Sequence, residues 1–374
     1  MKILQIHRYL GAGGIEAMVC GLANEMAKTE DVTVCTIIKP NPTDVFFNKL
    51  SPEVKKDTIG KIGDAKPFKE IFKIYRYLKE SDFDVVHIHG YFYYYVLAIL
   101  LLHKRIHFFF TAHNDALMEN TPWDLRILPV KKWFFRRGWM HPVTISEVSQ
   151  DSFYRLYHCD SRLIHNGIAA PVVDRDIDTL KEFRITQKTK VFVHPGRVCE
   201  QKNPVVLCKV FDRLLKEGHD IALVMAGPNH SQTIYGEMSK YFSDRIRHIG
   251  EHSDIPSLLA SADGMCLSSI FEGLPVVVLE SLAVGCIPIC TPVGGIVNVI
   301  EDGQNGILSK SPSEEDYYEA LSRYLGFPDK KIKSLKLNCT DSFKDYDISI
   351  TAGKYLQFYR ETLKASGTTL KSES

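Results

Sequence analysis

Short runs of β-branched and aliphatic residues alternate with amphipathic stretches along nearly the whole chain. No other feature narrows the fold as much. KILQIH (2–7) reads as a strand, followed by a glycine-rich turn and a helix near 15–28. DVTVCTII is the next strand. FKEIFKIYRYLKE (68–80) carries apolar residues at spacings of three and four and reads as a helix. DVVHIHG, HFFFTAH and PVTIS are further strands with helices between them. The pattern breaks near 170, at AAPVVDRDIDTLKEF, and restarts at KVFVHPGR (190–197). A helix at 203–217 follows, then the strands DIALVMAGP, IRHIG, GMCLSS and CIPICTP. Two successive series of strand and helix predict two doubly wound parallel-sheet α/β domains, over 1–170 and 171–345. The chain has 374 residues, 45% of them hydrophobic, enough for two cores. The polar end ASGTTLKSES (365–374) is expected to be disordered.

Several classes are disfavoured. Forty-six Lys+Arg against 45 Asp+Glu leave a net charge of +1, so no overall field draws the chain to nucleic acid. The nine cysteines form no C-x-x-C pair, and Cys286 and Cys290 lie in an apolar stretch that reads as a buried strand. An odd number at irregular spacing fits a reduced, cytoplasmic compartment. The opening MKILQIHRYLGAGG has too short an apolar run for a signal peptide. The longest apolar-aromatic block, Tyr91 to Leu102, is well under the ~20 residues that span a bilayer.

In doubly wound sheets ligands sit beyond the carboxyl ends of the strands, which selects the loops that matter. HRYLGAGGIE follows the first strand. Its glycines, Gly13 and Gly14 among them, either let a ligand reach the start of the next helix or form a tight turn with Glu16 complementing the helix dipole. Glu16 stands where a dinucleotide fingerprint needs glycine, which disfavours NAD. His89 and His113 end two strands, as structural or as functional residues. In HPGRVCEQKNP (194–204), Arg197 and Lys202 lie between a strand and a helix with Asn203 as cap and Pro204 in its first turn. The pair is either a solvated basic loop or a diphosphate clamp, with Arg as a bidentate fork and Lys as a point charge. In SSIFEGLPVVVLESLAVG (268–285), Glu272 stands in a loop before a buried helix that begins at Pro275 and ends at Gly285; Glu280 lies over one turn in. The amides of Gly273, Leu274 and Val276 open that helix, and both carboxylates suit sugar hydroxyls.

Together GAGGIE, DVVHIHG, TAHN, HNGI, PGRVCEQKNP, MAGP, SIFEGLPVVVLESLAVG and PVGGIVNVIEDGQNGIL resemble a retaining GT-B glycosyltransferase of family 4, over essentially the whole chain. The pairing of Arg197/Lys202 with the Glu-x7-Glu element is the specific part. The resemblance implies the GT-B fold: two Rossmann-like doubly wound domains facing across a cleft, with a last helix (about 346–364) returning to the first. It implies transfer of a hexose or N-acetylhexosamine from a nucleotide-diphosphate sugar, with UDP the expected nucleotide, to a saccharide or lipid-linked saccharide. The product would belong to capsule, O-antigen or another surface polysaccharide. Gly13 and Gly14 would approach the donor and His113 the transferred sugar. Arg197 and Lys202 would meet the leaving diphosphate. Glu272, Gly273, Leu274, Val276 and Glu280 would hold sugar, phosphate and ribose. No cofactor or metal is expected: Asp82-Phe83-Asp84 has the D-x-D form but precedes its strand, at the wrong end of the sheet.

RILPVKKWFFRRGW (126–139) mixes five cations with four aromatic residues and suits an anionic membrane surface and a polyprenyl-diphosphate-linked acceptor, or else is a surface helix with its apolar side turned inward. Location on the inner face of the cytoplasmic membrane would follow from the first. The rivals are a sugar-nucleotide epimerase of GT-B shape and a non-enzymatic two-domain clamp.

Overall fold

Two wholly parallel sheets organise the chain. The structure, a computed structural model, describes residues 1–11, 13–62, 68–113, 115–116 and 120–367. One unit comprises Met1–Ala169 with Tyr346–Ser374, the other Ala170–Asp345. The first sheet contains β1 (Lys2–His7), β2 (Asp31–Ile38), β3 (Lys55–Lys61), β4 (Val85–His89), β5 (His107–Ala112), β6 (Met140–Thr144) and β7 (Arg162–Leu163), in the order β3-β2-β1-β4-β5-β6-β7. The second contains β8 (Lys190–Pro195), β9 (Ile221–Ala226), β10 (Ile246–His248), β11 (Gly264–Leu267), β12 (Pro288–Cys290) and β13 (Ile307–Leu308), in the order β10-β9-β8-β11-β12-β13. The order therefore reverses between β1 and β4 in one unit and between β8 and β11 in the other, and a doubly wound sheet offers its ligand crevice at such a reversal.

Period-two alternation divides the first unit's core. Leu4, Ile6, Val86, Ile88, Phe108 and Phe110 face one layer, packed with Ile74, Leu78, Phe134 and Phe153. Ile3, Val85, Phe109 and Val143 face the other, covered by the helices Gly14–Met26 and Ile348–Ala365. Toward the carboxyl end of this second face the apolar residues give way to buried Gln5, His7, His87, His89, Thr111 and His113. The last helix thus belongs to the first unit, and Ala365 closes it. The rest of the expected disordered tail, from residue 368, lies outside the described residues.

Three strands have no apolar signature. β3, KKDTIGK, is a mostly exposed edge strand whose charged side chains leave no hydrophobic period. β7 and β13 are two residues each. Cys286 and Cys290 are buried, Cys290 as the last residue of β12.

Candidate active site

Because β8 and β11 are neighbours, the loops that follow them meet. Lys202 follows β8 and Glu272 follows β11, and their side chains form an ion pair at 2.6 Å with only 12% and 7% of their surfaces exposed. Ser269 Oγ donates to the same carboxylate oxygen at 2.6 Å. Gln201 Nε2 donates to the Phe271 carbonyl at 3.1 Å and reaches the other Glu272 oxygen at 3.5 Å, while its Oε1 accepts from Arg197 at 3.3 Å. The Gln201 carbonyl takes the Ile270 amide at 2.8 Å, and Ser268 Oγ donates to the carbonyls of Lys202 and Asn203 at 3.1 and 2.9 Å. The two loops are one hydrogen-bonded body carrying Arg197 at its exposed edge.

Of the two helix starts, one lies where it was expected and the other one residue later. Asn203 is the N-cap of the Pro204–Lys216 helix in the left-handed region (φ 48°), and its side chain makes no capping bond. The chain turns sharply there to bring Lys202 back over β11. Pro275 is the N-cap of the Val276–Val284 helix and not its first residue; Gly285 closes that helix with φ 74°. The Leu274 and Val276 side chains are buried and Gly273 has none, so this helix start presents only backbone groups at those positions. Glu280 lies on the half-exposed stripe of that helix with Val277 and Ala283, about 6 Å along the axis from Val276.

In the first unit His113 directly follows β5 and is buried. Its Nε2 lies 3.0 Å from His89 Nδ1, and His89 Nε2 lies 2.7 Å from Gln5 Oε1. Burial, with His7 nearby, pushes the His113 pKa down to about 3. At the start of the Gly14–Met26 helix a Cβ on the N-cap Gly13 would overlap the carboxylate of Glu16, which is buried and 3.8 Å from His7 Nε2. Burial raises the Glu16 pKa, but the His7 and Tyr9 hydrogen bonds outweigh it and hold the group below its ordinary value. Glu16 itself thus complements this helix terminus.

Asp82 and Asp84 stand at the amino end of the sheet. Asp82 is 76% exposed and pairs with Lys2, and Asp84 accepts the Lys2 amide at 2.8 Å, so this D-x-D string clamps the start of β1. In the 126–139 segment Lys131 points inward, 4.3 Å from the Phe110 ring centroid, and Phe134 and Phe135 are buried. Of the five cations in this segment, Lys131 is thus turned into the core.

Sequence reasoning missed Gln201, Ser269 and Gly294. A Cβ on Gly294 (φ 56°) would overlap the Glu272 carbonyl oxygen, so only glycine lets that loop press against the Glu272 loop. Gly227 plays the same part against Gly196 beside Arg197. The signal for Gly294 was its Gly-Gly string after β12, which marks a close approach but names no partner.

Two family descriptions divide the chain: Glycosyltransferase Family 4 matches residues 12–170 and Glycosyl transferases group 1 matches 176–336. Each unit thus matches a glycosyltransferase family, and the chain is a glycosyltransferase. This glycosyltransferase is 24% identical over 380 residues, covering 98% of its length and 100% of the other, to the GalNAc-alpha-(1->4)-GalNAc-alpha-(1->3)-diNAcBac-PP-undecaprenol alpha-1,4-N-acetyl-D-galactosaminyltransferase of Campylobacter jejuni. It is 32% identical over 123 residues, 33% of its length and 32% of the other, to that organism's N,N'-diacetylbacillosaminyl-diphospho-undecaprenol alpha-1,3-N-acetylgalactosaminyltransferase. Its fold matches Anabaena HepE in complex with UDP at TM-score 0.78, with 17% identity over 96% of this chain and 100% of that one. Its fold is GT-B. The epimerase reading finds no support among these relatives.

Proposed function

We propose that this glycosyltransferase moves an N-acetylhexosamine or hexose from a UDP-sugar to a polyprenyl-diphosphate-linked saccharide, with retention and without a metal, in surface-glycan synthesis. The observation that carries it is the Arg197–Gln201–Glu272–Lys202 cluster at the β8/β11 reversal. In the reaction the bond between the anomeric carbon and the diphosphate oxygen breaks, and negative charge grows on the leaving group. Arg197 and Lys202 meet that charge where it develops, as preorganised electrostatic stabilisation. An ammonium has three donors, so pairing with Glu272 holds Lys202 in place without exhausting it. Glu272 and Glu280 accept from sugar and ribose hydroxyls, the helix amides at Gly273, Leu274 and Val276 face the phosphates, and Gly13, Gly14 and His113 of the first unit serve the transferred sugar. The acceptor oxygen bonds to the anomeric carbon on the face the diphosphate leaves, and its proton passes to the departing phosphate. The UDP-bound structural neighbour supports the nucleotide, and the undecaprenol-linked names of the Campylobacter relatives support the acceptor class.

Membrane contact is proposed on the inner face of the cytoplasmic membrane. Among the described residues no helix is long and apolar enough to cross a bilayer. Trp123, Leu125, Phe68, Phe72 and Trp133 are exposed, with Trp123 6.2 Å from Phe68 and 4.8 Å from the Arg126 guanidinium. Aromatic rings beside cations suit the headgroup layer.

The deciding experiment screens UDP-, GDP- and ADP-sugars by thermal shift, where a ligand at 100 times its Kd adds about 2.7 kcal/mol, then measures release of nucleotide diphosphate with the binder. Lys202→Met is expected to lower turnover at least ~100-fold; unchanged turnover refutes the site.

A further inference from the structure

The buried polar face of the first sheet sets a direction for hydrogen bonds. Gln5, His89 and His113 come from β1, β4 and the end of β5, three adjacent strands. Gln5 Nε2 points toward Tyr359 Oη (3.4 Å) and Met26 Sδ (3.5 Å), which turns Oε1 toward His89. A carbonyl oxygen only accepts, so His89 Nε2 carries the proton. His89 is neutral: its two nitrogens meet a carboxamide and an imidazole, no anion, and its ring stacks on His87 at 4.3 Å. Burial, with its histidine neighbours, lowers its pKa well below the ordinary value. A neutral imidazole protonated at Nε2 has a bare Nδ1, which only accepts. The proton in the 3.0 Å contact therefore belongs to His113 Nε2, and His113 Nδ1 is an acceptor.

We propose that Gln5 and His89 are positioning residues that fix His113 as the Nε2-protonated tautomer, so that its Nδ1 accepts a hydrogen bond from a substrate hydroxyl and does not donate one. The proposal rests on reading His113 as a sugar contact. It assigns the residue a selective role: a hydroxyl donor fits at Nδ1, whereas a phosphate or carbonyl oxygen there would meet a lone pair. The depressed basicity of His113 makes it an orienting acceptor and not a base that removes the acceptor's proton.

Its histidine side chains can be read directly by ¹H–¹⁵N correlation spectra of the full chain, with His113 assigned by the signals lost in His113→Asn. The expected result is a neutral Nε2-protonated His113 from about pH 5 to 8, the range in which an unperturbed histidine titrates. An Nδ1-protonated or charged ring at pH 7 overturns the proposal. In Gln5→Met, which keeps length and removes the acceptor, the Nε2-protonated fraction of His113 should fall at least twofold; an unchanged spectrum from a folded variant overturns the relay. Release of UDP from UDP-N-acetylgalactosamine by His113→Ala separates the other half. Loss of activity supports the substrate contact, whereas wild-type turnover removes that role while leaving the tautomer result intact.

Discussion

Lys202 and Glu272 spend their charges on each other in a mostly buried position, and this makes the choice of substitution matter. Glu272→Ala strands the ammonium, and breaking one side of a buried pair typically costs about 3–5 kcal/mol. Glu272→Gln keeps an acceptor for Ser269 and for Lys202. It should melt closer to the wild type than Glu272→Ala, yet lose at least ~100-fold in transfer if the carboxylate grips sugar hydroxyls. Thermal unfolding beside nucleotide release checks both halves; Glu272→Gln with full turnover would leave the glutamate a purely structural counter-ion. The two charged residues were legible because a cation loop and an acid loop each followed an apolar run at a strand's carboxyl end. Gln201 was not: a glutamine between a cysteine-containing turn and a lysine has no pattern, and its value lies in touching Arg197 and Glu272 at once. His89 was legible as a strand-end residue, but its tautomer depends on Gln5, 84 positions away.

Among the elements, the loop after β12 is the least conspicuous support of the site. Thr291 Oγ1 donates to the Ser269 carbonyl at 2.6 Å, and the Gly295 amide donates to the Gly273 carbonyl. Gly294→Ala introduces a side chain into the Glu272 carbonyl and forces alanine into the left-handed region, which by itself costs about 1–2 kcal/mol. The expected outcome is a total loss above ~2 kcal/mol with the Glu272 loop displaced; Gly303→Ala, at φ 74° with nothing near its Cβ, should cost only the conformational share. Equal melting temperatures for the two variants would show that the close approach is not what holds the loop. The exposed aromatic face of the first unit is testable in the same spirit. Pelleting with anionic vesicles should fall at least fivefold in a Phe72→Ser, Trp123→Ser variant if those rings enter the headgroup layer, and identical negligible pelleting of both proteins removes the membrane proposal. Long apolar strands and the Phe68–Glu80 helix were legible from their periods, whereas the edge strand β3 was hidden by its lysines.

Across the whole molecule the two units should respond differently to acid. His87, His89, His107, His113 and His141 of the first unit have pKa values lowered chiefly by burial, His113 to about 3 and His141 to about 4; in the second unit only His194 is so lowered, to about 4, among the described residues. A histidine whose folded pKa lies below its unfolded value binds fewer protons when folded. Stability therefore falls as pH drops from the unfolded value, about 6.5, toward the folded one, by at most about 1.4 kcal/mol per pH unit for each fully buried group. Carboxylates with lowered pKa values, Glu16, Glu53 and Asp82 in the first unit and Asp220, Asp302 and Asp316 in the second, lose their contributions only below about pH 4. Between about pH 6.5 and 4.5 the histidines dominate, and the first unit carries most of them. All three tryptophans, Trp123, Trp133 and Trp139, lie in that unit, so their fluorescence reports on it alone. Its melting temperature should drop steeply over this window, while hydrogen exchange in the Val276–Val284 helix of the second unit should change little. A tryptophan transition that stays put from pH 7 to pH 5 would mean that the histidine layer exchanges protons freely in the folded state, and the neutral tautomer inferred for His113 would fall with it.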